Sequence, residues 1–204
     1  MPSIGPFQPL AQTVRAQSLS RAIADHPEDI WIFGYGSLMW DTDIPFSDRC
    51  AARLEGYRRS FCVWTAHARG SVDSPGLALG LVRDRTSYCD GVALKLDNAR
   101  RDAALEQLWE REMWTDIYRP IWQAVTASEP LPNAIVFEVD KASAQYAGDL
   151  SVDEAAHYIA IAHGVFGACR DYLYATIGAL RENGSYSGEF DALYNRVESL
   201  RTNG

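Results

Sequence analysis

The chain is short of the residues from which metal clusters and disulfide frameworks are built. Its 204 residues hold four cysteines and four histidines. Cys50, Cys62, Cys89 and Cys169 are scattered without a C-x-x-C pair, a pattern that predicts free thiols in a reducing compartment. His26, His67, His157 and His163 form no H-E-x-x-H and no Cys/His cluster, so no metal is expected. Apolar runs fall well below the ~20 residues that span a bilayer, and no membrane partner is expected. Positive charge is scarce as well. Nineteen Lys and Arg against 27 Asp and Glu leave a net charge of −8, which gives no electrostatic footprint for nucleic acid. Pro2, Pro6 and Pro9 stand where a basic-then-apolar leader would be, so the sequence predicts no export and a cytoplasmic location.

Two signatures fail at the turn Gly34-Tyr35-Gly36-Ser37-Leu38. Its G-x-G opens a dinucleotide fingerprint, but Met39 occupies the third glycine position and Pro45 follows soon after. Ser37 also lacks the flanks of a G-x-S-x-G nucleophile elbow. No cofactor is expected.

What is present is ordinary globular composition: 47% hydrophobic and 23% charged, with six Trp and ten Tyr. Residues 1–28 read as an N-terminal extension carrying a short helix from Thr13 to Ala24 that ends near His26-Pro27. Residues 29–204 read as one domain. Strands are predicted at Ile30 to Phe33, Arg58 to Trp64, Leu77 to Arg83, Gly91 to Leu96, Tyr118 to Thr126 and Ala134 to Val139. A helix is predicted over Ala99 to Met113. Ile159, His163, Phe166, Arg170, Leu173, Ile177 and Leu180 keep a three-or-four spacing that predicts one long helix stopped at Gly184, followed by a last amphipathic helix from Phe190 to Leu200. The class is α+β, with a mixed and barrel-like sheet.

Three groups of residues carry candidate chemistry. Glycines at the end of the first strand permit unusual backbone angles, so the amides of Tyr35, Gly36, Ser37 and Leu38 can form an anion-binding nest; an ordinary tight turn fits the same residues. Leu105, Leu108 and Trp109 define an apolar stripe whose next position is Glu112. A carboxylate there is either desolvated, with a raised pKa suited to general base work, or has reached solvent at the helix end. Glu106 and Glu110 fall on a solvated face. His163, Tyr172 and Tyr174 read as packing residues.

Together the pieces resemble the ChaC-like γ-glutamyl cyclotransferases. The likeness runs through Phe33-Gly34-Tyr35-Gly36-Ser37-Leu38-Met39-Trp40 and Gly56-Tyr57-Arg58-Arg59-Ser60-Phe61. It continues in Arg69-Gly70, Pro75-Gly76-Leu77 and Cys89-Asp90-Gly91-Val92-Ala93. After these come Leu108-Trp109-Glu110-Arg111-Glu112-Met113, Tyr118-Arg119-Pro120 and Ile161 to Gly167, leading into Tyr172-Leu173. The resemblance implies a small barrel of mixed strands with surrounding helices and a helical C-terminus.

It also implies that Glu112 is the acid/base and that Tyr35, Gly36, Ser37 and Leu38 hold a γ-glutamyl group, with Tyr172 as a further contact. The implied reaction is cleavage of glutathione to 5-oxoproline and Cys-Gly, without metal or cofactor. Two segments depart from many relatives, Ala66-His67-Ala68 before Arg69 and Met113-Trp114-Thr115-Asp116 after Glu112. Other γ-glutamyl amines or peptides are therefore an alternative substrate class, and a non-catalytic regulator of cation transport is an alternative of another kind.

Overall fold

Strand β1, Trp31–Gly34, is buried along its whole length, as its dense apolar run requires. It belongs to a computed structural model that describes residues 7–24, 29–40 and 43–202. The expected helix stop at His26-Pro27 lies outside the described residues. The chain divides into two compact units. One comprises Gln8–Arg59 with Leu81–Asp140; the other gathers Ser60–Gly80 with the C-terminal part from Lys141.

One sheet joins β1 to β2 (Phe46–Thr65), β3 (Gly76–Leu96), β4 (Tyr118–Gln123), β5 (Thr126–Ala127) and β6 (Ala134–Val139); β2 from Ser60 on and β3 up to Gly80 are counted with the second unit and the rest with the first. The strand order is β4-β6-β1-β3-β2-β5. β1 runs antiparallel to β3, with Trp31 opposite Lys95 and Gly34 opposite Val92, and parallel to β6, with Trp31 opposite Ala134. β3 also pairs with β6 in parallel, Leu81 opposite Glu138. A straight β3 would run antiparallel to both partners. It therefore turns over between Leu81 and Val92, and β1, β3 and β6 close into a ring.

Strands of 20 and 21 residues, several times the usual length, are long enough to bend in this way. β2 bends at Gly56, whose φ of +79° is left-handed. The two short strands expected at Leu77 to Arg83 and Gly91 to Leu96 are one continuous element. Asp84 to Ser87, in the gap between those two predicted strands, is an exposed to half-buried part of β3, where Asp84 accepts from the amide and hydroxyl of Thr86 and from Ser87 Oγ.

Helix α1 (Gln12–Ile23) buries no residue, yet two indoles anchor it: Trp109 Nε1 donates to Ser18 Oγ at 3.2 Å and Trp122 Nε1 to the Ala22 carbonyl at 2.7 Å. Helix α2 (Arg101–Glu112) follows a 3-10 turn at Asn98–Arg100, which Asp97 caps by accepting from the Ala99 amide. Ala104, Leu105, Leu108 and Trp109 are its buried stripe, with Trp109 edge-on to Phe137 of β6 at 5.5 Å between ring centroids. Glu106 and Glu110 are exposed, as their helical phase predicts.

The second unit holds α3 (Val152–Ile161), the hairpin β7 (His163–Gly164) and β8 (Gly167–Ala168), α4 (Cys169–Glu182) and α5 (Asp191–Thr202). Ser151 and Glu154 form a reciprocal capping box at the start of α3. The single helix expected from Ile159 to Leu180 is thus broken by a hairpin. Gly167 has φ +98°, and a side chain at Gly164 would meet the His67 carbonyl oxygen at 2.4 Å. Backbone demands at these two glycines override a periodicity that runs through them. His163 is exposed at the hairpin and does not lie on a buried helical stripe. Gly184, φ +66°, ends α4 two residues on, at the expected stop. Among the described residues no helix is long and apolar enough to cross a membrane.

Candidate active site

The turn after β1 is fixed from three directions, all within the first unit. The Tyr35 hydroxyl donates to the Phe137 carbonyl at 2.8 Å, a buried bond to β6. Arg59, itself buried, donates from Nη1 to the Tyr35 carbonyl at 3.1 Å and from Nη2 to the Asp90 carbonyl. Ser37 Oγ accepts from Arg111 Nη2 at 2.6 Å. Between these anchors Ser37–Met39 winds into one 3-10 turn, closed by the Met39 amide to the Gly36 carbonyl at 2.8 Å.

The first amides of such a turn, those of Ser37 and Leu38, have no acceptor inside it and are free to meet an anion. Gly36 is buried with φ −133°, and Gly34 is not left-handed either. For Gly34, a residue of β1, the expectation of a special backbone angle is therefore corrected. At Gly34 the reason is close packing, since a Cβ there would lie 3.1 Å from Leu38 Cβ and 3.2 Å from Val92 Cγ2. Tyr35 and Leu38 are buried, so their side chains brace the turn and leave its backbone and Ser37 to face a ligand.

Glu112 is the last residue of α2, and its side chain keeps 15% of its surface exposed. Burial pushes its carboxyl above the usual carboxylate range, while the neighbouring Arg111 charge and hydrogen bond pull it back. Arg111 Nε donates to Glu112 Oε1 at 3.2 Å. One guanidinium thus links the carboxylate to the turn. A mostly desolvated carboxylate linked in this way to a turn with amides to offer can take a proton from an ammonium while such donors steady a carboxylate or an oxyanion.

Tyr172 lies in the other unit, on α4. It is buried, packs edge-on against Phe61 at 6.0 Å, and sits under the Arg69 guanidinium at 5.8 Å. Tyr174 donates to Glu198 on α5, which accords with a packing role.

Arg111 and Arg59 lie inside the family-like motifs, and nothing in the sequence marks either for a task. Adjacent helix positions point about 100° apart, so periodicity gives no hint that Arg111 meets Glu112; only the helix end allows it. Arg59 sits in a β-strand where alternation says which face a residue takes and nothing about a carbonyl 24 positions earlier.

This is the architecture of one class of protein. The model of the ChaC-like protein family matches residues 30–200, and the chain belongs to that family. Among curated relatives, the glutathione-specific gamma-glutamylcyclotransferase of Escherichia coli (strain K12) is 37% identical over 165 residues, covering 79% of this chain and 70% of the relative. Gamma-glutamylcyclotransferase 2-3 of Arabidopsis thaliana is 31% identical over 178 residues, covering 84% of this chain and 89% of that one. The crystal structure of the γ-glutamyl cyclotransferase specific to glutathione from yeast has the same fold, with a TM-score of 0.78 at 20% identity over 86% of this chain and 98% of that one. The α+β class with a mixed, barrel-like sheet, expected from the sequence, is the fold observed.

Proposed function

We propose that the chain is a γ-glutamylcyclotransferase acting on glutathione, with Glu112 as general acid/base. The observation that carries the reading is Glu112 itself: a carboxylate mostly withdrawn from water at the end of α2 and tied through Arg111 to the Ser37 turn. Family membership and the names of the relatives from Escherichia coli and yeast support the substrate.

In this reading Glu112 takes one proton from the substrate's α-ammonium. The freed amine attacks the γ-carbonyl carbon, a C–N bond closes the five-membered ring, and the carbonyl oxygen becomes an oxyanion. The turn backbone from Tyr35 to Leu38 holds the γ-glutamyl group through its amides. Collapse of the oxyanion breaks the bond to the cysteinyl nitrogen, which receives protons by way of Glu112. Of the three ammonium protons one stays on the 5-oxoproline nitrogen and two end on Cys-Gly, so the step consumes no water. Because the nucleophile belongs to the substrate, proximity supplies much of the acceleration and no protein nucleophile is needed. Tyr172 is proposed as a further substrate contact on the family resemblance alone, and a raised KM in Tyr172→Phe is its test.

Purified protein incubated with glutathione should yield 5-oxoproline and Cys-Gly in equal amounts by mass spectrometry. Product from other γ-glutamyl amides and none from glutathione would move the substrate class while keeping the ring closure. No turnover of any γ-glutamyl compound would refute the reading.

A further inference from the structure

We propose that Arg111 is the positioning residue of this site: it holds the Glu112 carboxylate in place by gripping Ser37 and sets a positive charge against it. The inference rests on the acid/base assignment of Glu112. Its ground is geometric. The guanidinium is planar and presents donors in a fixed fork, so a hydrogen bond at one nitrogen fixes the direction of the others. Here Nη2 is committed to Ser37 Oγ at 2.6 Å and Nε to Glu112 Oε1 at 3.2 Å. Ser37 is held in turn, because Arg59 and the Tyr35 hydroxyl pin the turn that carries it. Glu112 therefore takes its position from the barrel by way of Arg111, although it sits at the last position of a helix.

The charge acts in the same place. Burial of Glu112 favours the protonated acid, which cannot accept a proton from an ammonium, and the C-terminal end of a helix disfavours negative charge too. Arg111 opposes both. Of the described charged groups on the last turns of α2 and just after it, Glu106, Glu110 and Asp116 are exposed and of the wrong sign, and the 3-10 turn offers only the neutral Ser37. A lysine in place of Arg111 would supply the charge without the fork. A methionine would supply neither.

The test is the pH profile of kcat/KM for the wild type, Arg111→Lys and Arg111→Met. Below neutrality the substrate's ammonium is fully protonated, so the acid limb reports the enzyme carboxyl. Loss of an opposite charge at this distance should move that limb upward by about 1–3 pH units. At pH values below both limbs, activity then falls by about tenfold for each unit of displacement, recovering as pH rises. Arg111→Lys should show a smaller displacement.

A carboxyl-carbon NMR titration, with the Glu112 signal assigned by its loss in Glu112→Gln, reads the same displacement whether or not the protein turns over. An acid limb and a Glu112 titration unmoved in folded Arg111→Met would overturn the inference. So would an unmoved limb with a raised KM, which would make Arg111 a substrate contact instead. A wild type without any γ-glutamyl turnover fails the acid/base reading separately. In that event the NMR titration still decides what Arg111 does to Glu112.

Discussion

Arg111 Nη2 donates to Ser37 Oγ at 2.6 Å, joining the end of a helix to a turn 74 positions earlier in the chain. The bond gives the serine a task that needs no nucleophilicity. Ser37→Ala leaves every backbone amide of the turn in place and removes only the acceptor for Arg111. Steady-state kinetics should show a loss of about 1 kcal/mol, on the order of fivefold in kcat/KM. A folded but inactive Ser37→Ala would point to a serine nucleophile.

Glu112 should also appear in stability. Its folded carboxyl titrates above the ordinary value because burial disfavours the ion. In the window between the unfolded and folded values, the folded state binds more protons than the unfolded one, so stability falls as pH rises through it. At neutral pH the ionised carboxylate costs the fold about 1.4 kcal/mol for each unit by which its pKa is raised. Glu112→Gln should therefore melt higher than the wild type at pH 7.5, with the difference shrinking as pH drops towards 4. A variant less stable than the wild type at pH 7.5 would contradict the desolvation account.

Close packing behind the turn makes a third prediction. A Cβ on Gly91 would lie 2.4 Å from the Gly34 carbonyl oxygen and 2.9 Å from Phe33 Cζ. Neither the strand backbone nor the buried ring yields easily. Gly91→Ala should cost about 1–3 kcal/mol, lowering the melting temperature by several degrees, because one methyl overpacks the β1–β3 contact. Unchanged melting would mean that this contact is looser than the structure has it.

Much of this was legible from residue patterns. The apolar run Ile30 to Phe33, the buried stripe of α2 with Glu112 at its end, and the fully buried β6 all follow from period and burial. The failures share a cause. Asp84 to Ser87 falls outside the two strands expected there because polarity is a local signal, whereas continuity of β3 depends on its partners. The Ile159 to Leu180 spacing looks helical, yet Gly164 lies too close to the His67 carbonyl for any side chain. Gly34 at the end of a strand looks like a residue needed for backbone freedom, whereas the structure shows a need for space beside Leu38 and Val92. In each case the deciding atom lies far away in sequence. The same holds for the candidate site, where a lone Glu112 could be picked out but its tie to Ser37 through Arg111 could not.

The most direct measurement is the rate of 5-oxoproline formation from glutathione by the wild type, Glu112→Gln, Glu110→Gln and Glu106→Gln, with folding of each checked by circular dichroism. The amide of Glu112→Gln keeps the shape and the Arg111 bond but cannot accept the ammonium proton, and losing a general base costs about 10²–10⁴-fold. Glu110 and Glu106 are exposed on the opposite side of the stripe, so their glutamine variants should keep nearly the full rate. The account predicts a folded, nearly inactive Glu112→Gln beside two active controls. A Glu112→Gln that forms 5-oxoproline at the wild-type rate, or a Glu110→Gln that is dead, would contradict it.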